Sequence, residues 1–116
     1  MESVYHLYQS GCALLEQGDH HAAIVPLSKA RDLEPDKASI REALGIAYFR
    51  LRRWDEAESE FRAVLELSPT DDYAHYALGR VLEKQGRAAE ANGHYKLASS
   101  LRPDSEDYRA RIHDLD

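Results

Sequence analysis

The sequence contains a single cysteine, Cys12, and no long run of apolar residues. One cysteine cannot form an internal disulfide, so nothing in the sequence points to an oxidising compartment. No window approaches the roughly 18 consecutive apolar residues of a membrane-spanning helix. The first residues, MESVYHLYQSG, lack the basic and apolar regions of a signal peptide. We therefore expect a cytoplasmic protein that does not insert into membranes.

Positive charge is also scarce, with 15 lysines and arginines against 21 aspartates and glutamates and a formal net charge of −6. This sign of charge repels phosphate backbones and anionic lipid surfaces. The basic cluster RLRR at 50–53 is short, and a solvated turn explains it. Nucleic acids and membranes are therefore not expected as partners.

The motifs of catalytic, nucleotide-binding and metal sites are absent from the sequence. It has no glycine-rich phosphate loop, no nucleophile elbow and no zinc-protease helix motif. Glu56 and Glu60 are one helical turn apart on a face interpreted as solvated, which does not suit a pair of acid and base catalysts. None of the six histidines forms an i, i+4 pair on a helix. We predict a protein that is not an enzyme, with no metal and no cofactor.

What the sequence does contain is a repeat of 34 residues, marked by Pro35, Pro69 and Pro103. A fixed period of this length is the signature of a repeat architecture. Three further sets of residues share the period: Gly11, Gly45 and Gly79; Ala23, Ala57 and Ala91; and Leu27, Phe61 and Tyr95. The predicted single domain covers 1–116, and its repeats are 4–37, 38–71 and 72–105.

Each repeat is predicted to form two α-helices, because its apolar residues recur at i, i+3, i+4 and i+7. Gly18 and Gly86 suit the left-handed conformation that follows a helix end. Arg52 is the residue at the same position of the second repeat, and a left-handed conformation there is expected to reduce the stability of the fold by about 1 kcal/mol. The first helices are expected at 4–17, 38–51 and 72–85, and the second helices at 20–33, 54–67 and 88–101. The expected N-caps are Asp36, Asp71 and Asp104.

Glycine recurs inside the first helices, where it costs roughly 0.5 to 1 kcal/mol relative to alanine. Because the same penalty appears in every repeat, we infer that the two helices of a repeat approach closely at this position. Gly45 is expected to face Ala57.

These residues resemble the tetratricopeptide repeat, a helix-turn-helix of 34 residues with small residues at its eighth and twentieth positions, a large residue at its twenty-fourth and a proline near its end. The sequence departs from the family at the fourth position, which is often Trp and here is Leu7, Arg41 and His75. The resemblance implies an all-α fold, a right-handed α-solenoid of three helical hairpins.

The last residues, 106–116, are predicted to form a helix that caps the stack. Tyr108, Ile112 and Leu115 continue the apolar stripe of a first helix. The end of a solenoid requires an element that covers the last repeat and presents charge to water.

Four tyrosines lie on first helices at positions that line the concave groove in the resembled family, namely Tyr5, Tyr8, Tyr73 and Tyr76. The resemblance therefore implies a peptide-binding surface, and the alternative is that these rings pack as peripheral core. The predicted peptide-binding residues are Tyr5, Tyr8, Cys12, Glu42, Ile46, Phe49, Arg50, Tyr73, Tyr76 and Arg80.

The predicted function is that of an adaptor, which binds an extended or helical peptide segment of another protein in its groove. Some members of the resembled family grip a C-terminal carboxylate with basic and amide side chains. The corresponding positions here cannot supply that charge, since they are Tyr8, Cys12, Ala43, Tyr73 and Ala77. An alternative function is self-assembly into a homo-oligomer, through an apolar end of the first repeat or the tyrosine groove.

Overall fold

The computed structural model describes residues 2–113, and over this range it contains seven α-helices and no strands. The all-α prediction is therefore confirmed. The molecule is elongated, with extents of 54 × 24 × 21 Å, as expected of a short solenoid. The helices are α1 (Val4–Glu16), α2 (His20–Leu33), α3 (Ala38–Arg50), α4 (Trp54–Leu67), α5 (Asp72–Lys84), α6 (Ala88–Leu101) and α7 (Glu106–Ala110).

Three helical hairpins, α1–α2, α3–α4 and α5–α6, stack along the long axis. The turn inside each hairpin requires one residue with positive φ, and this residue is Gly18 at 80° or Gly86 at 78°. Arg52 adopts the same conformation with φ of 62°, as predicted, because its hairpin needs the same turn. An L-residue with a side chain is strained there by about 1 kcal/mol.

The repeated glycine admits the large residue at the twenty-fourth position of its repeat. A Cβ atom on Gly45 would lie 2.7 Å from Cζ of Phe61, and one on Gly79 would lie 2.5 Å from Cε1 of Tyr95. The expected partner of Gly45, Ala57, is fully buried, but it is not among the atoms nearest to such a Cβ. The predicted close approach of the two helices is confirmed, and the Phe61 ring lies closest to the position that a Gly45 side chain would occupy.

The helix N-caps differ in part from those expected. Asp71 caps α5, since its side chain accepts a hydrogen bond of 3.0 Å from the backbone N–H of Ala74. The other two helices in this register begin at the predicted residues, Ala38 and Glu106, but their N-cap residues are Lys37 and Ser105. Asp36 and Asp104 precede the cap position and so cap no helix.

The unusual fourth-position side chains bind the carbonyl of the repeat proline six residues earlier. Arg41 donates from Nε to the carbonyl of Pro35 at 3.0 Å. Nε2 of His75 lies 2.9 Å from the carbonyl of Pro69. Arg109 donates to the carbonyl of Pro103 in the same register. These polar side chains therefore tie α3, α5 and α7 to the turns that precede them.

Glu60 was expected on a solvated face, and this prediction is wrong, because its exposed fraction is 4%. Its carboxylate accepts hydrogen bonds of 2.9 Å from Arg31 and 3.0 Å from Arg41. A carboxylate is buried at low cost only when its charge is paired and hydrogen-bonded. The three side chains thus join the first hairpin to the second.

The C-terminal segment covers the third hairpin, but its helix is shorter than predicted. α7 ends at Ala110, while the prediction extended to 116. The side chain of Asn92 accepts from the N–H of His113 and donates to its carbonyl, both at 2.7 Å, which holds this backbone outside a helix. Tyr108 donates to Asp72 at 2.7 Å. Leu115 lies outside the described residues.

Candidate functional site: the concave face

One pocket lies on the face formed by the first helices of the second and third hairpins. Successive helices are joined by short turns, so α3 and α5 run in the same direction across this face. The pocket has a volume of about 120 Å³, and we call it the α3–α5 pocket. It is lined by Ile46, Phe49, Arg50, Phe61, Tyr73, Tyr76, Ala77 and Arg80.

The aromatic residues of the pocket differ in how firmly they are held. Tyr76 packs edge-on against Tyr95 and Tyr108, with ring centroids 6.0 and 5.0 Å away. Tyr73 lies 6.4 Å from Tyr76, and 40% of its surface is exposed. Phe49 packs against Trp54 at 5.2 Å. Tyr76 is therefore part of the structural support of the pocket, whereas Tyr73 offers its ring to solvent.

Two arginines give one end of the pocket positive charge. The guanidinium carbon of Arg80 lies 5.0 Å from the centroid of the Phe49 ring, within the range of a cation–π interaction. Arg50 is exposed in the last turn of α3. Within residues 2–113, neither guanidinium has a carboxylate inside the 4.0 Å distance of an ion pair.

The opposite end of the face is acidic. Burial raises the pKa of the Glu42 carboxyl, and the charges of Asp71 and Asp72 raise it further. Burial and the charge of Glu42 likewise raise the pKa of Tyr73. Arg50 and Arg80 act in the opposite direction on Tyr73. The charge thus changes sign along the face, and Tyr73 lies between the two ends.

Tyr5 and Tyr8 lie apart from the α3–α5 pocket, beside a second, more open pocket of about 250 Å³ that Lys37 also lines. The Tyr5 hydroxyl accepts a hydrogen bond of 2.9 Å from Gln9, and 65% of the residue is exposed. Burial raises the pKa of Tyr8, with a further contribution from its hydrogen bond to Cys12. Cys12 is partly buried against the core.

The structure therefore divides the predicted site residues into groups. Six of them line the α3–α5 pocket: Ile46, Phe49, Arg50, Tyr73, Tyr76 and Arg80. Tyr5 and Tyr8 line the second pocket, whereas Cys12 and Glu42 line neither. Phe61 and Ala77 were not predicted as site residues. Gly45 was the available signal for Phe61, because the absent side chain lets that ring pack directly against α3.

Sequence reasoning also missed the proximity of His75 and His94, whose Nδ1 atoms lie 3.1 Å apart. They are separated by 19 residues and lie on different helices, so a search for i, i+4 pairs does not find them. Arg41 and Glu60 have the same separation of 19 and also bind each other. The repeat register was therefore the signal that could have revealed the histidine pair.

Among residues 2–113, no helix is long and apolar enough to cross a membrane. Over the same range, no group of three or more histidine, cysteine, aspartate or glutamate side chains is arranged to hold a metal ion.

The stacked hairpins and their concave pocket define an α-solenoid of the helical-repeat class. The sequence profile of the tetratricopeptide repeat matches residues 8–72 and again 43–106. The chain belongs to the tetratricopeptide repeat family, whose fold is suited to protein-interaction adaptors.

Two curated relatives match large parts of this chain but small parts of themselves. The protein O-mannosyl-transferase Tmtc2 of Drosophila melanogaster is 37% identical over 79 residues, which are 67% of this chain and 8% of the relative. The co-chaperone DNJ1 of Cryptococcus neoformans, which has tetratricopeptide repeats and a J domain, is 28% identical over 104 residues, or 90% of this chain and 20% of the relative. The chain thus spans at most a fifth of either protein.

Solved structures share the fold closely. The first tetratricopeptide domain of Spaghetti (RPAP3), bound to the HSP90 peptide SRMEEVD, has a TM-score of 0.90 at 23% identity, covering 94% of this chain and 86% of that one. MamA has a TM-score of 0.92 at 24% identity, with coverage of 95% and 64%. Similarity at these identities establishes the architecture alone.

Proposed function

We propose that this chain is a non-enzymatic adaptor that binds a peptide segment of another protein on its concave face, with the α3–α5 pocket as the main contact. The observation that carries this proposal is the cluster of Phe49, Tyr73 and Tyr76 around an open pocket. Aromatic rings that remain accessible in a concave surface are the usual anchors of peptide recognition.

The size of this surface predicts weak binding. Phe49 and Tyr76 are partly buried, so if a peptide covers about 50 Å² of each of the three rings, burial supplies roughly 4 kcal/mol at about 25 cal/mol per Å². The loss of translational and rotational freedom on association costs about 4 to 15 kcal/mol. Micromolar or weaker affinity is therefore expected, unless charged contacts add to the aromatic ones.

The relatives offer limited support. The Spaghetti domain was solved with a peptide, so this architecture accommodates one. The positions at which some family members hold a C-terminal carboxylate are here Tyr8, Cys12, Ala43, Tyr73 and Ala77. None carries positive charge, so we propose a different binding mode. The transferase named Tmtc2 matches this chain over 8% of its length, and this match does not favour an enzyme here.

The test compares Tyr73→Ala with Leu97→Ala, a matched control that also removes an exposed apolar side chain but lies on α6. Immobilised wild-type chain and both variants are exposed to a cell extract, and retained proteins are quantified by mass spectrometry. We expect proteins that the wild type and Leu97→Ala retain and Tyr73→Ala loses, with similar melting temperatures for all three. Retention that is unchanged by Tyr73→Ala would contradict the proposal.

Self-association is the second candidate, and the open pocket beside Tyr5 and Tyr8 is the observation that favours it. A second copy that inserts an apolar segment there would form a homo-oligomer. Light scattering over a wide concentration range discriminates between the two candidates, since an adaptor of the proposed kind stays monomeric. A dimer that Tyr5→Ser disrupts would favour self-association.

A further inference from the structure

We propose that the α3–α5 pocket selects a peptide in which an apolar side chain is next to a carboxylate. The apolar side chain lies against Phe49 and Tyr73, and the carboxylate lies between Arg50 and Arg80. This inference rests on the proposed function and adds the chemistry of the partner to it.

The first argument is that the two pocket arginines have no carboxylate partner, in a protein where most arginines have one. The following arginines lie within 4.0 Å of a carboxylate: Arg31, Arg41, Arg53, Arg62, Arg87, Arg102 and Arg111. Arg50 and Arg80 form no such pair within residues 2–113, although the chain has a net charge of −6. Their charge is therefore available to an anion from outside.

The position of Arg80 adds a geometric argument. Its guanidinium lies over the Phe49 ring, which restricts the side chain while leaving its N–H groups free to bind an anion. An arginine that is held in place loses less freedom when it binds a carboxylate with two hydrogen bonds. An apolar side chain in the pocket would also exclude water and strengthen that contact.

A simpler explanation covers only one of the two arginines. Arg50 is in the last turn of α3, where a cation interacts favourably with the helix dipole. Arg80 lies a full turn before the end of α5, and Lys84 already occupies its last turn. The dipole therefore accounts for Arg50, but not for the choice of arginine at position 80.

The acidic end of the face predicts the orientation of the peptide. Glu42 and Arg50 are eight residues apart on α3, or about 12 Å along the helix axis. An extended peptide covers this distance in about four residues. We therefore expect a basic residue, or the peptide's amino terminus, about four positions from the acidic residue and close to Glu42.

The experiment selects peptides without any assumption about the natural partner. The full chain is immobilised, and a phage-displayed library of random peptides of about 12 residues is selected against it. A parallel selection uses the doubly charge-reversed variant Arg50→Glu/Arg80→Glu. The control is Lys29→Glu/Lys96→Glu, which changes the net charge equally at exposed positions of α2 and α6.

The expected result is a charge switch. The wild type and the control enrich peptides that have aspartate or glutamate beside an apolar residue, whereas the charge-reversed variant enriches lysine or arginine in its place. For one selected peptide, fluorescence anisotropy is expected to show at least about tenfold weaker binding to Arg50→Glu/Arg80→Glu. Replacing the peptide's acidic residue by its amide is expected to weaken binding similarly. Melting temperatures establish that each variant is folded.

Two kinds of failure are distinguishable. Peptides that lose binding to Tyr73→Ala but show no acidic preference, with the same sequences enriched by the charge-reversed variant, would overturn this inference and leave the proposed function intact. If no peptide is enriched, or if enriched peptides bind Tyr73→Ala unchanged, both the inference and the proposed function are overturned.

Discussion

The Nδ1 atoms of His75 and His94 lie 3.1 Å apart, and the two rings are nearly parallel, with an angle of 24° between them. A carbonyl can only accept, so the contact between Nε2 of His75 and Pro69 places the His75 proton on Nε2. Nδ1 of His75 is then the acceptor, and Nδ1–H of His94 is the donor.

The first prediction concerns the loss of stability in acid. Burial lowers the pKa of His94 from its usual value of 6.5, His75 and Arg62 lower it further, and Glu90 opposes them. The unfolded chain therefore binds this proton more readily than the folded chain. The corresponding stability is complete above about pH 6.5 and is lost as pH falls through that value towards the folded pKa. We expect the urea midpoint to fall between about pH 7.5 and 5.5.

The variant His94→Gln tests the origin of that fall. Glutamine can donate to His75 and does not titrate, so the midpoint of this variant is expected to depend less on pH. His21→Gln removes an exposed histidine from α2 and should retain the wild-type dependence. Glu66 on α4 lines the same pocket as the two histidines, and both variants leave it unchanged. Equal pH dependence in all three proteins would contradict the assignment.

The second prediction compares two helical glycines. Gly45→Ala places a methyl group against the buried Phe61 ring, so we expect the free energy of unfolding to decrease by about 1 to 2 kcal/mol. Gly93→Ala on α6 meets no atom within 4 Å, and we expect it to increase stability by roughly 0.5 to 1 kcal/mol. Urea denaturation measures both changes. An increase in stability for both substitutions would show that helix propensity, not the close approach, determines the outcome.

The third prediction concerns the junction of the first two hairpins. Glu60→Gln removes the charge that pairs with Arg31 and Arg41, both of which remain partly accessible to water. Because water can replace part of the lost contact, we expect a decrease in unfolding free energy of about 1 to 3 kcal/mol. Glu66→Gln is the control, since Glu66 is exposed on the same helix. A decrease no larger than that of the control would count against the buried pair.

The fourth prediction concerns the strained turn. Arg52→Gly relieves the positive φ of 62°, but it also increases the freedom of the unfolded chain. The net effect is expected to be a gain of up to about 1 kcal/mol, seen as a higher melting temperature. The matched substitution Gly86→Arg should have the opposite effect, because it introduces the strain at φ of 78°. A lower melting temperature for Arg52→Gly would be inconsistent with strain at this position.

The period of 34 residues carried most of the information about the fold. It predicted the second helices at the residues where they occur, and the first helices one residue longer than they are. It could not predict which side chain packs against Gly45, because this contact depends on the angle between the two helices. It also could not predict the burial of Glu60, since the two arginines that neutralise it come from different helices.

The candidate site was predicted only as a stripe of residues on first helices. Helical periodicity assigns Tyr5 and Tyr73 to the same face, but it does not show that they line separate pockets. Nor does it show that Tyr76 is held by Tyr108, which is 32 residues away in sequence. Contacts between repeats decide both points, and they depend on side-chain packing that a single sequence does not specify.

The fourth-position side chains Arg41 and His75 belong to polar clusters of different chemistry, the first at the junction of the first two hairpins and the second within the third hairpin. At the first junction, guanidinium groups bind a carboxylate, and guanidinium keeps its charge throughout the cellular range of pH. Within the third hairpin, the imidazole of His75 on α5 binds the imidazole of His94 on α6, and imidazole changes its charge within that range. Acid would therefore weaken the contact between α5 and α6, and α5 supplies Tyr73, Tyr76 and Arg80 to the α3–α5 pocket.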